Sequence, residues 1–240
     1  MIRALRLLLC SGLLAAGLAP VLRAAPDEDN VGVAIHQTGR VLVFPPDLLT
    51  MGVSEGEVQV VLSVDAEGKL TDLLVVSYTN PAFAEAVEKV LPTWTYDPAR
   101  LHGRAQAGRV DIDIKFSSEV NIFVVNLGWH YWENVTGGHR FVYKTYKLSD
   151  LDRIPTPAHV VRPGLPNGAA PSSDRTVTVE FFIDEYGRVR VPTVDRTEAS
   201  DSYAAAAIAA VEQWKFEPPV RHGKPVLVLL QEDFTFRAKR

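Results

Sequence analysis

Cysteine is almost absent from this chain, which has one, Cys10, among its 240 residues. Cys10 lies in an apolar run, Leu7 to Leu22, that follows Arg3 and Arg6. A basic start, an apolar run and a small residue after it, here Ala24, are typical of a secretory signal peptide. We expect cleavage after Ala24, which would leave the mature chain with no disulfide, no thiol nucleophile and no cysteine metal site.

The apolar run is short for a membrane anchor, since its 16 residues fall below the roughly 20 that a helix needs to span a bilayer. Retention as an inner-membrane anchor is the alternative to cleavage. Cleavage would remove three arginines and no acid, which takes the formal charge from −4 to −7. An acidic chain lacks the basic surface of a nucleic-acid-binding protein. We therefore expect a periplasmic protein without a nucleic-acid partner, and with a membrane contact only if the N-terminal segment is retained.

Motifs that would indicate an enzyme are few. The sequence contains neither a His-Glu-x-x-His motif nor a phosphate loop, and both would carry a defined chemistry. His130, Glu133 and His139 are conceivable metal ligands, but a turn at Gly137-Gly138 would not place the two histidines opposite each other. We expect no enzyme activity, no cofactor and no metal site.

One stretch of the sequence occurs twice. Residues 94–104 read WTYDPARLHGR and residues 214–224 read WKFEPPVRHGK, with four identities at the same spacing, 120 positions apart. The repeat indicates a duplicated domain. Its histidines each precede a glycine, which favours a turn over a catalytic role. The residues of this structural motif are Trp94, Pro98, His102, Gly103, Trp214, Pro218, His222 and Gly223.

The first copy predicts three strands. Apolar and polar residues alternate from Val58 to Val64, which indicates a strand with one face in the core. Asp65 and Gly68 then favour a tight turn, after which residues 70–77 form the returning strand. Residues 110–116 alternate again and predict the third strand.

A helix is predicted between the second and third strands. Asn80 can cap it, and Pro81 suits its first position. Pro92 removes a backbone donor, so we expect a kink or an early end there. Four residues at helical spacing form the apolar face, namely Phe83, Val87, Val90 and Trp94.

The second copy repeats this order. Residues 177–183 predict its first strand, and Asp184 with Gly187 predicts the turn. Pro192 in the returning strand indicates an edge position or a bulge. The last strand falls within residues 226–236. The helix face would be formed by Tyr203, Ala207, Ala210 and Trp214.

We therefore predict an α+β fold with two tandem copies of a small β-β-α-β domain, each a three-stranded antiparallel sheet covered by a helix. An aromatic-rich segment between them is predicted to be a β-hairpin that turns at Gly137-Gly138. The predicted division is a signal peptide (1–24), an N-terminal tail (25–39), a diverged first copy (40–117), the joining segment (118–147) and the second copy (148–240).

This pattern resembles the C-terminal domain of TonB-family proteins over about residues 40–117 and 148–236. The resemblance rests on the Asp-x-x-Gly turn, the Trp-x-Phe-x-Pro and His-Gly-Lys-Pro sequences, and the last strand ending in Phe236. It implies a periplasmic protein-binding domain linked to TonB-dependent outer-membrane transport, in which an extended receptor segment adds alongside the last strand. Carried over by position, this surface is Val226 to Phe236, with a counterpart at Val110 to Phe116 in the first copy. Its partner-binding residues would be Val226, Leu227, Val228, Leu229, Leu230, Gln231, Glu232 and Asp233.

Two functions other than catalysis stay open. In one, the edge binds an outer-membrane receptor or another envelope protein. In the other, the chain is a self-associating envelope scaffold or a homodimer, because an exposed edge strand serves either purpose. Glu232 and Asp233 would discourage unselective edge pairing and favour a selective partner. We expect a Leu229→Pro substitution to abolish binding and leave the fold intact.

Overall fold

The computed structural model describes residues 31–119, 123–127, 141–166, 171–197 and 201–238. The predicted signal peptide, the expected turn at Gly137-Gly138 and the residues His130, Glu133 and His139 lie outside the described residues. No helix in the described part of the chain is long and apolar enough to cross a bilayer.

Strands are the main elements of both copies. The first copy and the segment after it contain β1 (Ala34–His36), α1 (Pro46–Thr50), β2 (Glu55–Val64), β3 (Leu70–Tyr78), α2 (Pro81–Val90), β4 (Thr95–Asp97), β5 (Ala99–Leu101), β6 (Arg104–Gln106), β7 (Gly108–Ser117), β8 (Phe123–Leu127) and β9 (Tyr143–Lys144). The second copy contains β10 (Pro157–His159), β11 (Arg175–Ile183), β12 (Val189–Thr197), α3 (Asp201–Val211), β13 (Lys215–Phe216), β14 (Val220–Arg221), β15 (Lys224–Pro225) and β16 (Val228–Phe236).

The sheet of the first copy has the order β8-β7-β2-β3-β9, and every neighbouring pair is antiparallel. Three of its strands, β2, β3 and β7, are those predicted from the sequence. The other two come from the segment between the copies, because β8 pairs with β7 and β9 pairs with β3. Tyr143 and Lys144, which we expected in the second strand of a hairpin, thus extend the first sheet at the edge opposite to β8.

The sheet of the second copy has the order β12-β11-β16, again antiparallel. β12 is an edge strand, and its pairing with β11 is irregular around Val191, where φ is +46°. An edge position and a bulge are what Pro192 predicts, because proline cannot donate to a ladder. The predicted α+β fold with two β-β-α-β copies is confirmed.

The turns that join β2 to β3 and β11 to β12 are each built on an aspartate and a glycine. An Oδ1 atom of Asp65, and likewise of Asp184, accepts two backbone N–H groups of its turn at 2.8 to 3.1 Å. Gly68 and Gly187 have φ angles of +81° and +79°. A Cβ at Gly187 would lie 1.9 Å from the carbonyl oxygen of Phe216. Glycine is therefore required there both by conformation and by space.

The helices cover their sheets with the predicted faces. Asn80 Oδ1 accepts the N–H of Ala82 at 2.9 Å and so caps α2. α2 ends at Val90 and passes into a 3₁₀ turn, Leu91–Thr93, which contains Pro92, so the predicted early end is confirmed. The buried residues of the two predicted faces are Phe83, Val87, Val90, Trp94, Ala207, Ala210 and Trp214.

A buried tryptophan closes each helix. The indole Nε1 of Trp94 donates to the carbonyl oxygen of Arg40 at 2.8 Å, and that of Trp214 donates to the carbonyl oxygen of Val161 at 2.7 Å. Each bond joins the core to the segment that precedes the first long strand of its copy. The repeated tryptophan thus has a repeated structural role.

The His-Gly pairs form the turns of two small hairpins, β5-β6 and β14-β15. His102 and His222 both have φ of +50°, and Gly103 and Gly223 have +71° and +73°. Two successive residues with positive φ are characteristic of a type I′ turn. In the second copy, Asp152 accepts the N–H groups of His222 and Gly223 at 2.8 and 2.9 Å. The repeated histidines are turn residues, as predicted.

The two sheets pack together through the faces that their helices leave uncovered, so the layers run helix, sheet, sheet, helix. The alternation in β2 predicted one buried face and one face open to solvent. The second part of this prediction is wrong, because the opposite face is buried as well. Gln59 and Val61 on that face are 4% and 2% exposed because the second copy lies near it. The apolar cluster between the sheets contains Val61, Leu74, Val76, Phe182, Val191, Leu227 and Leu229.

Two arginines cross this contact. Arg109 Nη1 lies 2.8 Å from Glu180 Oε1, and Arg109 Nε lies 2.7 Å from Asp111 Oδ1. Arg190 of the second copy likewise forms an ion pair with Asp72 of the first copy. Burial lowers the pKa of Arg109, but the carboxylates of Asp111 and Glu180 outweigh burial, and the net shift is upward. Paired and charged, Arg109 links the first sheet to the second.

Candidate functional site

β16 is paired on one side only along most of its length. β11 pairs with it from Val228 to Phe236 without a break in register. On the other side, the N–H of Tyr146 donates to Leu227 O at 2.9 Å, and the N–H of Leu229 donates to Tyr146 O at 3.1 Å. Beyond Leu229, no strand or bridge of the described residues lies along this side.

The outward backbone groups of β16 belong to alternate residues. The N–H of Leu229 points away from β11, and the direction of successive residues alternates in an antiparallel pair. The backbone groups of Asp233 and Thr235 therefore point to the same side as that N–H. We refer to residues 231–236 as the open edge.

The first half of the predicted binding stretch serves the packing of the two copies. Leu227 and Leu229 are buried between the sheets, and Val228 is buried beneath α3. Val226 and Leu230 are half-buried.

Leu229→Pro is therefore not a selective change. It would remove the N–H that bonds to Tyr146 and a side chain that is 2% exposed. The expectation that the fold stays intact in this variant is wrong, because the residue joins the second copy to the first.

The second half of the predicted stretch belongs to the open edge. Gln231, Glu232 and Asp233 are exposed. Residues 234–236, which end the surface implied by the family resemblance, belong to the open edge as well, since β16 stays in register with β11 to its end.

The corresponding edge of the first copy is occupied by the chain itself. β8 pairs antiparallel with β7, with Phe123 opposite Phe116 and Leu127 opposite Ile112. Residues 112–116 correspond through the repeat to residues 232–236, which form the open edge. The expectation that Val110 to Phe116 offers a second open edge is therefore wrong.

A cleft of about 360 Å³ lies beside the open edge, on the side of the sheet that α3 covers. The bond between Trp214 and the Val161 carbonyl fixes one wall of the cleft, and the ring of Phe234 lies 5.6 Å from that of Trp214. The residues that matter for its character are Val161, Pro163, Trp214, Glu232, Phe234 and Phe236. The cleft is thus largely apolar, and the charged residues Arg162, Glu232 and Asp233 also line it.

Glu232 lies in the apolar row of the last strand. Its row neighbours Leu230 and Phe234 pack on the core of the second copy, and the corresponding residue of the first copy is the fully buried Ile112. Partial burial, and then the charge of Asp233, raise the pKa of the Glu232 carboxyl. No cation among the described residues pairs with Glu232.

A hydrolase-like Gly-x-Ser-x-Gly spacing occurs once in the sequence. Residues 52–56 read Gly-Val-Ser-Glu-Gly, whereas the Gly-x-Ser-x-Gly turn of hydrolases joins a strand to a following helix. Ser54 lies instead between α1 and the start of β2. The order of elements is the reverse of what the motif requires, so the match carries no catalytic assignment.

Metal ligation has no candidate in the described parts of the chain, which contain no group of three His, Cys, Asp or Glu side chains suited to an ion. The backbone edge and its cleft are features that could engage another molecule.

Comparison with known families gives one result. The model of the family described as Gram-negative bacterial TonB protein C-terminal matches residues 40–118 and 174–238. These two ranges contain the β-β-α-β elements of the two copies. No curated protein sequence matches the chain.

Proposed function

This chain belongs to the family of Gram-negative bacterial TonB C-terminal domains, and from this premise we propose that it binds an extended segment of a periplasmic or outer-membrane protein at the open edge of β16. The family indicates a TonB-like envelope protein linked to TonB-dependent transport and acting through a protein partner. The proposal adds the place and the mode of binding, which is strand addition at residues 231–236 of the second copy, within residues 148–240.

β8 is the observation that carries the proposal. It lies along residues 112–116 of the first copy as an added antiparallel strand. The equivalent residues 232–236 have no such neighbour among the described strands. One chain therefore contains a filled and an open form of the same edge, and the filled form in the first copy supports strand addition at the open edge of the second.

Main-chain hydrogen bonds would supply much of the affinity. The outward N–H and C=O groups of Asp233 and Thr235 would pair with the backbone of the added segment, as in other complexes formed by strand addition. The cleft beside Phe234 would receive a side chain of the segment and give selectivity.

A pull-down tests this proposal. The mature chain and two variants, Asp233→Pro and Asp233→Ala, are used as bait in envelope extract of the source bacterium. Both variants lose the 2.6 Å bond between Asp233 and the Thr178 hydroxyl, but only proline removes the outward N–H. We expect recovery of a receptor or transport component by the parent and the alanine variant, and its loss with the proline variant. Equal recovery by all three, with matching circular dichroism, would overturn strand addition.

The alternative is an envelope scaffold in which the open edges of two molecules pair. In an antiparallel pairing of two molecules centred on Asp233, the two copies of Asp233 would lie opposite each other, with the two copies of Glu232 nearby. Such a pairing would be unfavourable, because like charges opposite each other are destabilising. Light scattering of the mature protein separates the two functions. A dimer that the Asp233→Pro variant converts to a monomer would favour the scaffold.

Export is part of the proposal, with a signal peptide removed after Ala24. N-terminal sequencing of protein recovered from the envelope should begin at Ala25. A start at Met1 would favour the inner-membrane anchor instead.

A further inference from the structure

We propose that the segment bound at the open edge runs antiparallel to β16 and has the order apolar-x-apolar-x-basic, with its basic residue opposite Glu232. This inference rests on the proposed strand addition and gives that partner a direction and a side-chain pattern.

The direction follows from β8. Because β8 runs antiparallel to β7, its first residue, Phe123, lies opposite Phe116, and its last, Leu127, lies opposite Ile112. A segment added in the same way to β16 would meet Phe236 first and Glu232 last. Tyr146 limits its length, since the backbone of Tyr146 already occupies this side of β16 at Leu229.

The apolar positions follow from the row of residues on the helix side of β16. Residues directly opposite each other in an antiparallel pair have their side chains on the same face. Those opposite Phe234 and Phe236 would thus lie over the cleft beside Trp214. Both rings already pack in the second copy, Phe234 against Trp214 at 5.6 Å and Phe236 against Tyr203 at 4.8 Å between centroids. Apolar partners would continue this packing outward.

The basic position follows from the replacement of Ile112 by Glu232. In the backbone register of the first copy, Leu127 of β8 lies opposite Ile112. An apolar residue opposite Glu232 would desolvate a carboxylate that no described cation neutralises. Lysine or arginine would pair with it instead. Arg162 also lines the cleft. It belongs to the segment between β10 and β11, however, and not to a strand that would lie opposite Glu232.

Synthetic peptides make the test direct. The probes are the eight-residue sequence of positions 121–128, NIFVVNLG, and two forms of it with lysine or glutamate in place of the leucine at position 127. Binding of fluorescently labelled probes to the mature chain is followed by anisotropy at low and high salt. We expect the lysine probe to bind about fivefold more tightly than the glutamate probe at low salt, within the range of solvent-exposed ion pairs, with a smaller ratio at high salt.

Charge reversal at the proposed contact completes the test. Glu232→Lys should reverse the preference between the lysine and glutamate probes, and Glu232→Gln should nearly remove it. Glu212→Lys serves as the matched control, because it changes the net charge equally at another exposed site and should leave the preference as it is.

The outcomes separate the two proposals. If no probe binds, or if binding survives Asp233→Pro unchanged, strand addition at this edge is overturned and the inference with it. If the probes bind but the lysine and glutamate forms have equal affinity, or if Glu232→Lys changes the affinity of neither form, the basic position is overturned while strand addition stands.

Discussion

The carbonyl oxygen of Tyr146 accepts the N–H of Leu229 at 3.1 Å, and this bond ties the segment between the copies to the start of the last strand. Tyr146 in turn donates its own N–H to Leu227. The same segment contributes β9 to the first sheet. One short stretch of chain therefore extends the first sheet and closes part of the edge of the second.

Leu229→Pro should destabilise the protein by about 2–5 kcal/mol, the usual cost of removing a buried leucine, with a further cost for the lost backbone donor. Urea denaturation measures this change. Thr235→Pro, at an outward N–H near the end of β16, should cost clearly less because Thr235 is exposed. Equal stability of the Leu229→Pro variant and the parent would contradict the packing of the copies described above.

Trp214→Ala should cost about 3–5 kcal/mol in the free energy of unfolding, because the indole fills the core beneath α3. Trp214→Phe keeps much of the apolar volume but loses the 2.7 Å bond to the Val161 carbonyl, a loss of about 1 kcal/mol. Trp94→Phe, which breaks the matching bond to Arg40, is the control in the first copy. A phenylalanine variant as unstable as the alanine variant would show that the bond, and not the volume, dominates.

Gly187→Ala should be much more destabilising than Gly223→Ala, although both glycines have a positive φ, +79° and +73°. An alanine in the left-handed region costs about 1–2 kcal/mol at either site. At Gly187 the new Cβ would also meet the Phe216 carbonyl oxygen at 1.9 Å, whereas nothing lies within 4 Å at Gly223. Thermal unfolding of the two variants compares them, and similar losses would argue against this close approach.

Asp152 gives the stability of the second copy a pH dependence. The backbone N–H groups of Gly223 and His222 hold the pKa of Asp152 below its ordinary value of 3.8. A depressed folded-state pKa contributes stability above the unfolded value and loses it as the pH falls through the folded value. Asp152→Asn should therefore lower the urea midpoint at pH 7, and its difference from the parent should shrink below pH 3.8. A difference that grows with acid would contradict the assignment.

Local features of this fold could be predicted because local chemistry determines them. Asp65 and Gly68 specify a turn through one carboxylate and one positive φ, and Pro92 ends α2 whatever surrounds it. The His-Gly turns belong to the same class.

The contact between the sheets could not be predicted, because the second face of each strand mixes polar and apolar residues. Gln59 looks like a solvent-facing residue in an alternating strand, yet it is 4% exposed and bonds with Ser77 across the sheet. Polar residues that hydrogen-bond to one another at a buried contact alternate with apolar residues along a strand, just as polar residues that face water do.

The pairing of β8 was missed for a different reason. Nothing in the sequence near Phe123 distinguishes a strand that pairs with β7 from one that begins a separate hairpin. Its partner depends on which edge is open after the rest of the sheet has formed, and this is a property of the whole copy. The proposed site lies on the strand that the sequence indicated, but its counterpart in the first copy was assigned without knowledge of β8.

The pair formed by Arg109 and Glu180 makes the contact between the two copies asymmetric. Through the repeat, Arg109 corresponds to Leu229 and Glu180 corresponds to Val61, and both of these apolar residues belong to the cluster between the sheets. The two equivalent positions of the contact between the sheets thus differ, since one is ionic and the other is apolar. Two identical subunits could not encode this arrangement, because a twofold interface uses the same residues on both sides. Within one chain that constraint does not apply, so the two halves of the contact can differ, and one copy can support the other while the other keeps its edge free.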